Sequence, residues 1–294
     1  MRGRPLADPV EARTRADVDA LLDRGVVPRL GTVLMSDDPA AESFMDRKHE
    51  RCAAAGVRTE RVDLPADAPA TRLHEAVDRL AADEDVTALF VQMPLPDHVD
   101  DGRVRARIPP SKDVDCLAPE NLGRLVGGDP RVRPATTDAV RRLLAGYDVT
   151  TAGRDAVVVG RSPTIGRPLA NALLARGTGG DATVTVCHTA TRDLAAKTRE
   201  ADLLVTAAGH PRLVDGSMVS GGVTVVDVSA NRVEADDGAG HAVVGDVDYE
   251  SVARKADAIT PVPGGVGPLT LACLLRNVVD VTAREAGVES IAST

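Results

Sequence analysis

The sequence predicts an α/β protein in two domains, the second built on a mostly parallel sheet. Three observations predict it. Short β-branched runs alternate with helix-period segments along the chain, as strands do when covering helices join them. A length of 294 residues suits one large or two ordinary domains. Residues 155–170, Asp155-Ala-Val-Val-Val-Gly-Arg-Ser-Pro-Thr-Ile-Gly-Arg-Pro-Leu-Ala, read as a buried strand, a glycine turn and a helix start. There Gly160 permits a tight turn and Gly166 lets the helix start lie close to the strand. Unpaired N–H groups at a helix start favour an anion. The usual dinucleotide fingerprint has a second early glycine, where this chain has Ser162. Taken alone, the stretch fits any strand-to-helix connection.

The elements follow in order. Residues 9–24 carry Val10, Val18, Leu21 and Leu22 at helical spacing, and Gly25 stops that helix. Residues 26–35 read as a strand. Asp38 caps the next helix with Pro39 at its first position, and Gly56 ends it. Phe44 and Lys48, four apart, share one face of this helix; an apolar contact beside a solvated lysine is the plain alternative to a site. A strand at 57–62, a helix at 68–82 and a strand at 86–92 come next, and Met93-Pro-Leu-Pro breaks the chain. Gln92 ends its strand in the zone where α/β sites form.

Residues 108–121 are loop-rich and hold Asp113 and Asp115, a spacing typical of caps and turns. Pro134-Ala-Thr-Thr-Asp opens a helix over 139–144, and the domain boundary falls here. Beyond the 155–170 stretch, strands are expected at 182–187, 203–207, 223–228 and 258–260. A short capped helix is expected over 246–255, and a final helix over 269–285. Before that last helix runs Pro261-Val-Pro-Gly-Gly-Val-Gly-Pro.

Composition narrows the function. The chain is 43% apolar, enough for sizeable cores, and no run of 18 apolar residues suggests a membrane span. Met1-Arg-Gly-Arg-Pro has no apolar signal core, so a cytoplasmic protein is expected. Cys52, Cys116, Cys187 and Cys273 are widely separated, which points to reduced, buried thiols and no metal site. A net charge of −9 argues against a nucleic-acid surface.

Several separated motifs now form a set. They are Asp37-Asp-Pro-Ala with Lys48 downstream, Val91-Gln-Met-Pro-Leu-Pro, Lys112-Asp-Val-Asp, Val159-Gly-Arg-Ser with Gly166, Ala182-Thr-Val-Thr-Val-Cys-His, Ala201-Asp-Leu-Leu-Val and Ile259-Thr-Pro-Val-Pro-Gly-Gly-Val-Gly-Pro. In this order, over nearly the whole chain, they resemble the bifunctional methylenetetrahydrofolate dehydrogenase/methenyltetrahydrofolate cyclohydrolase family. A shikimate-type dehydrogenase has the same two-domain plan but does not explain the Pro-Gly-Gly-Val-Gly-Pro loop.

The resemblance implies two α/β domains flanking a cleft. Residues 1–137 would bind folate, completed by a C-terminal helix over 269–294, and residues 138–268 would form a Rossmann-like NADP-binding domain. It implies a homodimer, tetrahydrofolate one-carbon derivatives as substrates, and no nucleic-acid or membrane partner. By match to the family motifs, Lys48 would activate water and move protons, Gln92 would orient Lys48, and Asp115 would accept two N–H groups of the pterin. Phe44, Val91, Met93 and the loop Pro263, Gly264, Gly265, Val266 and Gly267 would contact folate. Gly160, Arg161, Ser162, Gly166, Thr189 and Ala230 would contact the dinucleotide. The strand ending Cys187-His-Thr carries no acid for a ribose hydroxyl. Arg161, with Thr189 and Arg192, suits a 2′-phosphate instead, so NADP is expected.

The chain departs from the family pattern in places. Phe44 stands where tyrosine is usual, Cys116 where glycine is common, and Ser229-Ala230 where Gly-Ile is usual near the nicotinamide. The loss at Phe44 motivates one alternative, a dehydrogenase with weak or lost cyclohydrolase activity. The other is a folate- or nucleotide-binding protein without turnover.

Overall fold

In the computed structural model residues 1–234 and 240–288 are described, and they group into two compact units. One holds Asp8–Ala135 with the chain from Leu271 onward; the other holds Met1–Ala7 and Thr136–Thr270. The first seven residues thus group with the dinucleotide-type unit, not with the segment that follows them.

The first unit is built from α1 (Arg4–Leu22) from Asp8 onward, β1 (Arg29–Met35), α2 (Pro39–Ala54), β2 (Arg58–Leu64), α3 (Ala70–Ala82), β3 (Ala88–Val91), α4 (Asp101–Arg105) and α5 (Pro119–Val126). Its sheet is parallel in the order β2-β1-β3, with Val33 level with Val62 on one side and Val91 on the other. Parallel neighbours need crossovers, which α2 and α3 supply. α3 buries Leu73, Ala76, Val77 and Leu80, a helical stripe that packs with Val33, Leu89 and Val91 in one core. Each fully buried leucine there contributes about 1.5–3 kcal/mol. α2 begins as its sequence dictates. Asp38 accepts Ala40 N at 2.9 Å, Pro39 opens the helix, and the chain leaves through Gly56 at φ +80°.

α1 begins at Arg4, five residues before the expected start, with Pro9 inside it. Leu6 N and Ala7 N both donate to Gly3 O, so the first turn closes ahead of the proline. The short helix α5 begins inside the loop-rich 108–121 stretch, and α4 falls where the sequence assigned no element. α5 has no side-chain cap, and Pro119 at its first position is the start signal that its sequence carries.

The second unit holds α6 (Ala135–Gly146), β4 (Asp155–Val159), α7 (Gly166–Leu174), β5 (Thr183–Cys187), α8 (Leu194–Arg199), β6 (Leu203–Thr206), β7 (Thr224–Asp227), the hairpin β8 (Asn231–Glu234) and β9 (His241–Val244), α9 (Tyr249–Ala253) and β10 (Ala258–Ile259). Its five-stranded sheet is parallel throughout, in the order β10-β7-β6-β4-β5. The chain moves from β4 outward to β5, then returns past β4 to β6. That reversal makes the carboxyl end of β4 the switch point where α/β sheets take ligands. The helix expected over 246–255 is shorter. It begins at Tyr249, and Asp246 lies outside it.

α10 (Val266–Glu285) starts three residues earlier than expected, so Gly267 is helical. From Leu271 it belongs to the first unit. Residues 289–294 of the expected completing segment lie outside the described residues. By length and composition α10 could cross a membrane, which the sequence reading did not foresee. Its burial makes it a core helix: Leu269, Ala272, Leu275, Val278, Val279 and Val281 are all enclosed. It also carries Arg276, buried and paired with Asp17 and Asp280. All four cysteines are buried, none in a disulfide. Burial pushes the Cys52 thiol up to about 12 and raises the Cys116 and Cys187 thiols as well.

Candidate active site

The buried residues of α2 are Met45, Lys48 and Cys52, at positions i, i+3 and i+7. Lys48 therefore sits on the apolar seam of its helix and is only 3% exposed. Its ammonium donates to Gln92 Oε1 at 2.5 Å. The Gln92 amide is fixed in turn, because its Nε2 donates to Met93 O at 2.6 Å and its backbone N to Val33 O at 2.9 Å. Lys48 Nζ lies 4.2 Å from the Phe44 ring centroid and 4.1 Å from that of Phe90. The rings and the nearby Asp115 charge favour the cation. Burial opposes it and wins, lowering the Lys48 pKa to about 7. With its pKa lowered to about 7, part of the amine is neutral at neutral pH and able to accept a proton.

Asp115 is half-buried, and Ala135 N donates to its Oδ1 at 2.7 Å. Burial raises its pKa to about 7, and Lys48 pulls the other way. The loop presenting it is folded around Asp113, which is 1% exposed. Asp113 accepts Asp115 N and Leu117 N on one oxygen, both at 3.1 Å, and Ala118 N and Asn121 Nδ2 on the other, both at 2.9 Å. The turn-forming reading of the carboxylate pair thus holds for Asp113, while Asp115 keeps its second oxygen for a partner. Lys112 donates to Ala81 O and Asp83 O at 2.9 and 2.7 Å, closing the end of α3. Cys116 follows at φ +56°, the left-handed region that favours glycine. That backbone is the reason glycine is common there.

Val91 and Met93 flank Gln92, but Val91 is a core side chain, so only its backbone can meet a ligand. Phe90 was not foreseen; its signal was the alternation that turns one residue in two of a strand to the same face. Replacing Phe44 with tyrosine adds a hydroxyl at the edge of the ring that Lys48 faces. One added hydrogen bond of about 0.5–1.5 kcal/mol predicts a roughly 2- to 12-fold faster ring opening relative to hydride transfer. Steady-state rates of the two half-reactions in F44Y check this; an unchanged ratio removes the hydroxyl from consideration.

In the second unit the glycine turn behaves as its spacing implies. Gly160 has φ +134°, and a Cβ there would lie 2.3 Å from Ala207 O. A Cβ on Gly166 would lie 2.2 Å from Gly160 O. Ser162 also organises the turn itself. Its Oγ accepts Ile165 N at 3.1 Å and Gly166 N at 3.3 Å, so it caps the start of α7, leaving its hydroxyl proton for a ligand. Arg161, Thr189 and Arg192 are exposed, and Arg161 makes no ion pair among the described residues. At the end of β5, His188 N donates to Thr191 Oγ1 at 2.9 Å and Ala190 N to His188 Nδ1 at 3.2 Å, which shapes the turn carrying Thr189. Ala230 is exposed beyond the end of β7. These residues suit a dinucleotide with an extra phosphate: a switch point, a close glycine turn and a uncommitted guanidinium.

The 263–267 loop lies in the same unit. Gly264 has φ +103°, and a Cβ on Gly265 would lie 2.6 Å from Pro261 O. Gly267 differs, since a side chain there would meet nothing within 4 Å and its backbone is ordinary. Pro263 is exposed and Val266 buried.

A parallel sheet with a glycine turn at its switch point, and a unit holding a lysine kept near neutrality, define a two-domain dinucleotide-dependent enzyme. The family model described as tetrahydrofolate dehydrogenase/cyclohydrolase, NAD(P)-binding domain, matches residues 134–286, and that of the catalytic domain matches residues 1–115. The bifunctional protein FolD 2 of Haloarcula marismortui is 50% identical over 287 residues, 98% of this chain and 97% of the relative. Among solved structures, the Campylobacter jejuni bifunctional FolD has a TM-score of 0.88 at 37% identity, covering 97% of this chain and 98% of that one. The Trypanosoma brucei enzyme, complexed with NADP cofactor and inhibitor, has a TM-score of 0.91 at 36% identity, with 97% of each chain covered. This chain belongs to the tetrahydrofolate dehydrogenase/cyclohydrolase family.

Proposed function

We propose that this chain carries out both family reactions in one-carbon metabolism. It oxidises 5,10-methylenetetrahydrofolate to the methenyl form with NADP, then hydrolyses that to 10-formyltetrahydrofolate. The observation that carries the reading is Lys48: buried, hydrogen-bonded to Gln92, and with its pKa lowered to about 7. Bound NADP supplies the hydride acceptor. The bridge carbon loses its hydride as a cation stabilised by two nitrogens, so the protein need remove no proton in that step. Its work there is to hold the substrate in line. Asp115 supports this as the acceptor for the pterin's amino-pyrimidine edge, a paired geometry that a carboxylate suits. In the second step neutral Lys48 takes a proton from water as it adds to the methenyl carbon; the carbinol then loses its hydroxyl proton as the carbon–N5 bond breaks and N5 takes up a proton, opening the ring, while Gln92 keeps the amine aimed. A cationic substrate nearby also favours the neutral amine. A homodimer in the cytoplasm completes the reading.

Absorbance tests it directly. Purified protein with methylenetetrahydrofolate and NADP should reduce the cofactor, and the methenyl signal should then decay faster than without enzyme. Reduction without accelerated decay leaves a dehydrogenase alone and points to Phe44. Binding with no spectral change makes this a carrier protein. Exchanging Arg161 for glutamine should raise KM for NADP at least tenfold while NAD changes less than threefold, since one charge-assisted phosphate contact is lost. Equal loss with both cofactors would place the arginine elsewhere.

A further inference from the structure

One buried carboxylate gathers the loops that follow two neighbouring strands of the five-stranded sheet. Asp246 comes just after β9 and has no exposed surface. Its Oδ2 accepts Ala208 N at 2.6 Å, Gly209 N at 3.2 Å and Ser229 Oγ at 2.7 Å. Its Oδ1 accepts His210 N at 2.8 Å and Asn231 Nδ2 at 3.0 Å. Ser229 Oγ also accepts Gly209 N at 3.2 Å, bridging the two loops. Residues 207–210 follow β6 and residues 228–231 follow β7, so one side chain fastens both. Only an ionised carboxylate accepts on both oxygens and donates nothing. An asparagine would turn an N–H towards at least two of these donors, whichever way its amide pointed.

Ligands of open α/β sheets sit at the carboxyl edge, on both sides of the switch point. With the glycine turn after β4 taking the phosphates, β5 lies on one side and β6 and β7 on the other. The 2′-phosphate residues Arg161 and Thr189 mark the β5 side as the adenosine half, which leaves the β6 and β7 loops for the nicotinamide. We propose that Asp246 is a positioning residue for hydride transfer, fastening the two loops that seat the nicotinamide, with Ser229 as the strap between them. This rests on the NADP reading of the preceding subsection. Asp246 itself need touch neither substrate nor cofactor. It acts through loop geometry, to which hydride transfer is sensitive: an error of about 1 Å can cost about a hundredfold in rate.

The test uses the full chain with Asp246→Asn and Ser229→Ala. Dehydrogenase turnover is measured with NADP, with the isotope effect on the transferred hydrogen. Ring opening is measured separately from methenyltetrahydrofolate without any dinucleotide, and melting temperature is recorded. In D246N the ratio of dehydrogenase to ring-opening rate should fall at least tenfold, with KM for NADP raised. In S229A the ratio should fall three- to tenfold at unchanged melting temperature, with a larger isotope effect because hydride transfer becomes the slower step. A ratio within twofold of the parent in both variants overturns the proposal, including the case where both rates fall together with stability. Should D246N fail to fold, S229A decides alone by the same criterion. If the parent chain reduces no NADP, the proposed function fails. The fastening role is then read from NADPH fluorescence titration, where unchanged affinity in S229A overturns it and a three- to tenfold loss supports it.

Discussion

Replacing Lys48 with methionine should abolish ring opening and make the protein more stable below neutral pH. General-base removal costs about 10²- to 10⁴-fold, and methionine fills the same apolar seam between Met45 and Cys52. Oxidation of methylenetetrahydrofolate should keep at least a tenth of its rate, since no proton leaves in that step. Stability follows from the ionisation. Folded Lys48 releases its proton near 7, while in the unfolded chain it does so near 10.5. Below pH 7 both states are protonated, and the folded one bears a buried charge, a cost of up to about 5 kcal/mol at 1.36 kcal/mol per pKa unit. Between 7 and 10.5 the unfolded chain binds the extra proton, so the parent gains stability as pH rises. Asp115 runs oppositely, losing its contribution as pH rises from 3.8 to about 7, but it is present in both proteins. Urea unfolding at pH 6 and pH 9 should therefore show K48M ahead at 6 and the gap closing by 9. In the parent, ring-opening kcat/KM should climb through about pH 7. A flat profile, or K48M retaining ring opening, would remove Lys48 as the base.

The second large effect is expected from Gly166→Ala. The new methyl would lie 2.2 Å from Gly160 O, 2.5 Å from Gly160 C and 2.8 Å from Arg161 N. All three are backbone atoms, so no side chain can swing away, and the turn itself must open. Overpacking of this kind costs about 1–3 kcal/mol and sometimes more. The distortion falls on Arg161 and on the N–H groups offered to phosphate. Dehydrogenase kcat/KM for NADP should drop at least a hundredfold, and ring opening without dinucleotide should drop far less. Gly123→Ala is the control, because Gly123 lies inside α5 with nothing near its missing side chain. It should stabilise the protein by up to about 1 kcal/mol through helix propensity. Calorimetry with NADP titration distinguishes the pair. A G166A protein that binds NADP normally would mean that the turn tolerates a wider approach.

The elements legible in the sequence were those with punctuation. Asp38-Pro39 and Gly56 bracket α2, and the stripe of α3 sits where its apolar spacing puts it. Proline misled at α1, because Pro9 looks like a first-turn residue while the true start is closed by Gly3. At the site, Lys48 and Gln92 and their pairing came from the family resemblance; nothing local in the sequence encodes that pairing across 44 residues, which follows from α2 packing on β1 and β2 while β3 pairs with β1. Asp246 looked like a helix cap from local spacing. Its partners lie 15 to 38 residues away in loops, and no local pattern encodes them. The capping by Ser162 of its own helix was not legible for a related reason: a turn hydroxyl can bond a ligand, its own helix or both, and only coordinates show the second.

The burial of all four cysteines has a practical consequence. Thiols held in the protonated form inside a core react slowly with maleimides and oxidants. The folded chain therefore offers a silent background for fluorophore or spin labelling at a single cysteine introduced on the surface. With no tryptophan in the sequence, the emission of a reporter dye or of bound reduced cofactor would also be free of indole fluorescence. The same compact interior that sets the chemistry of Lys48 would thus let its turnover be watched in single molecules.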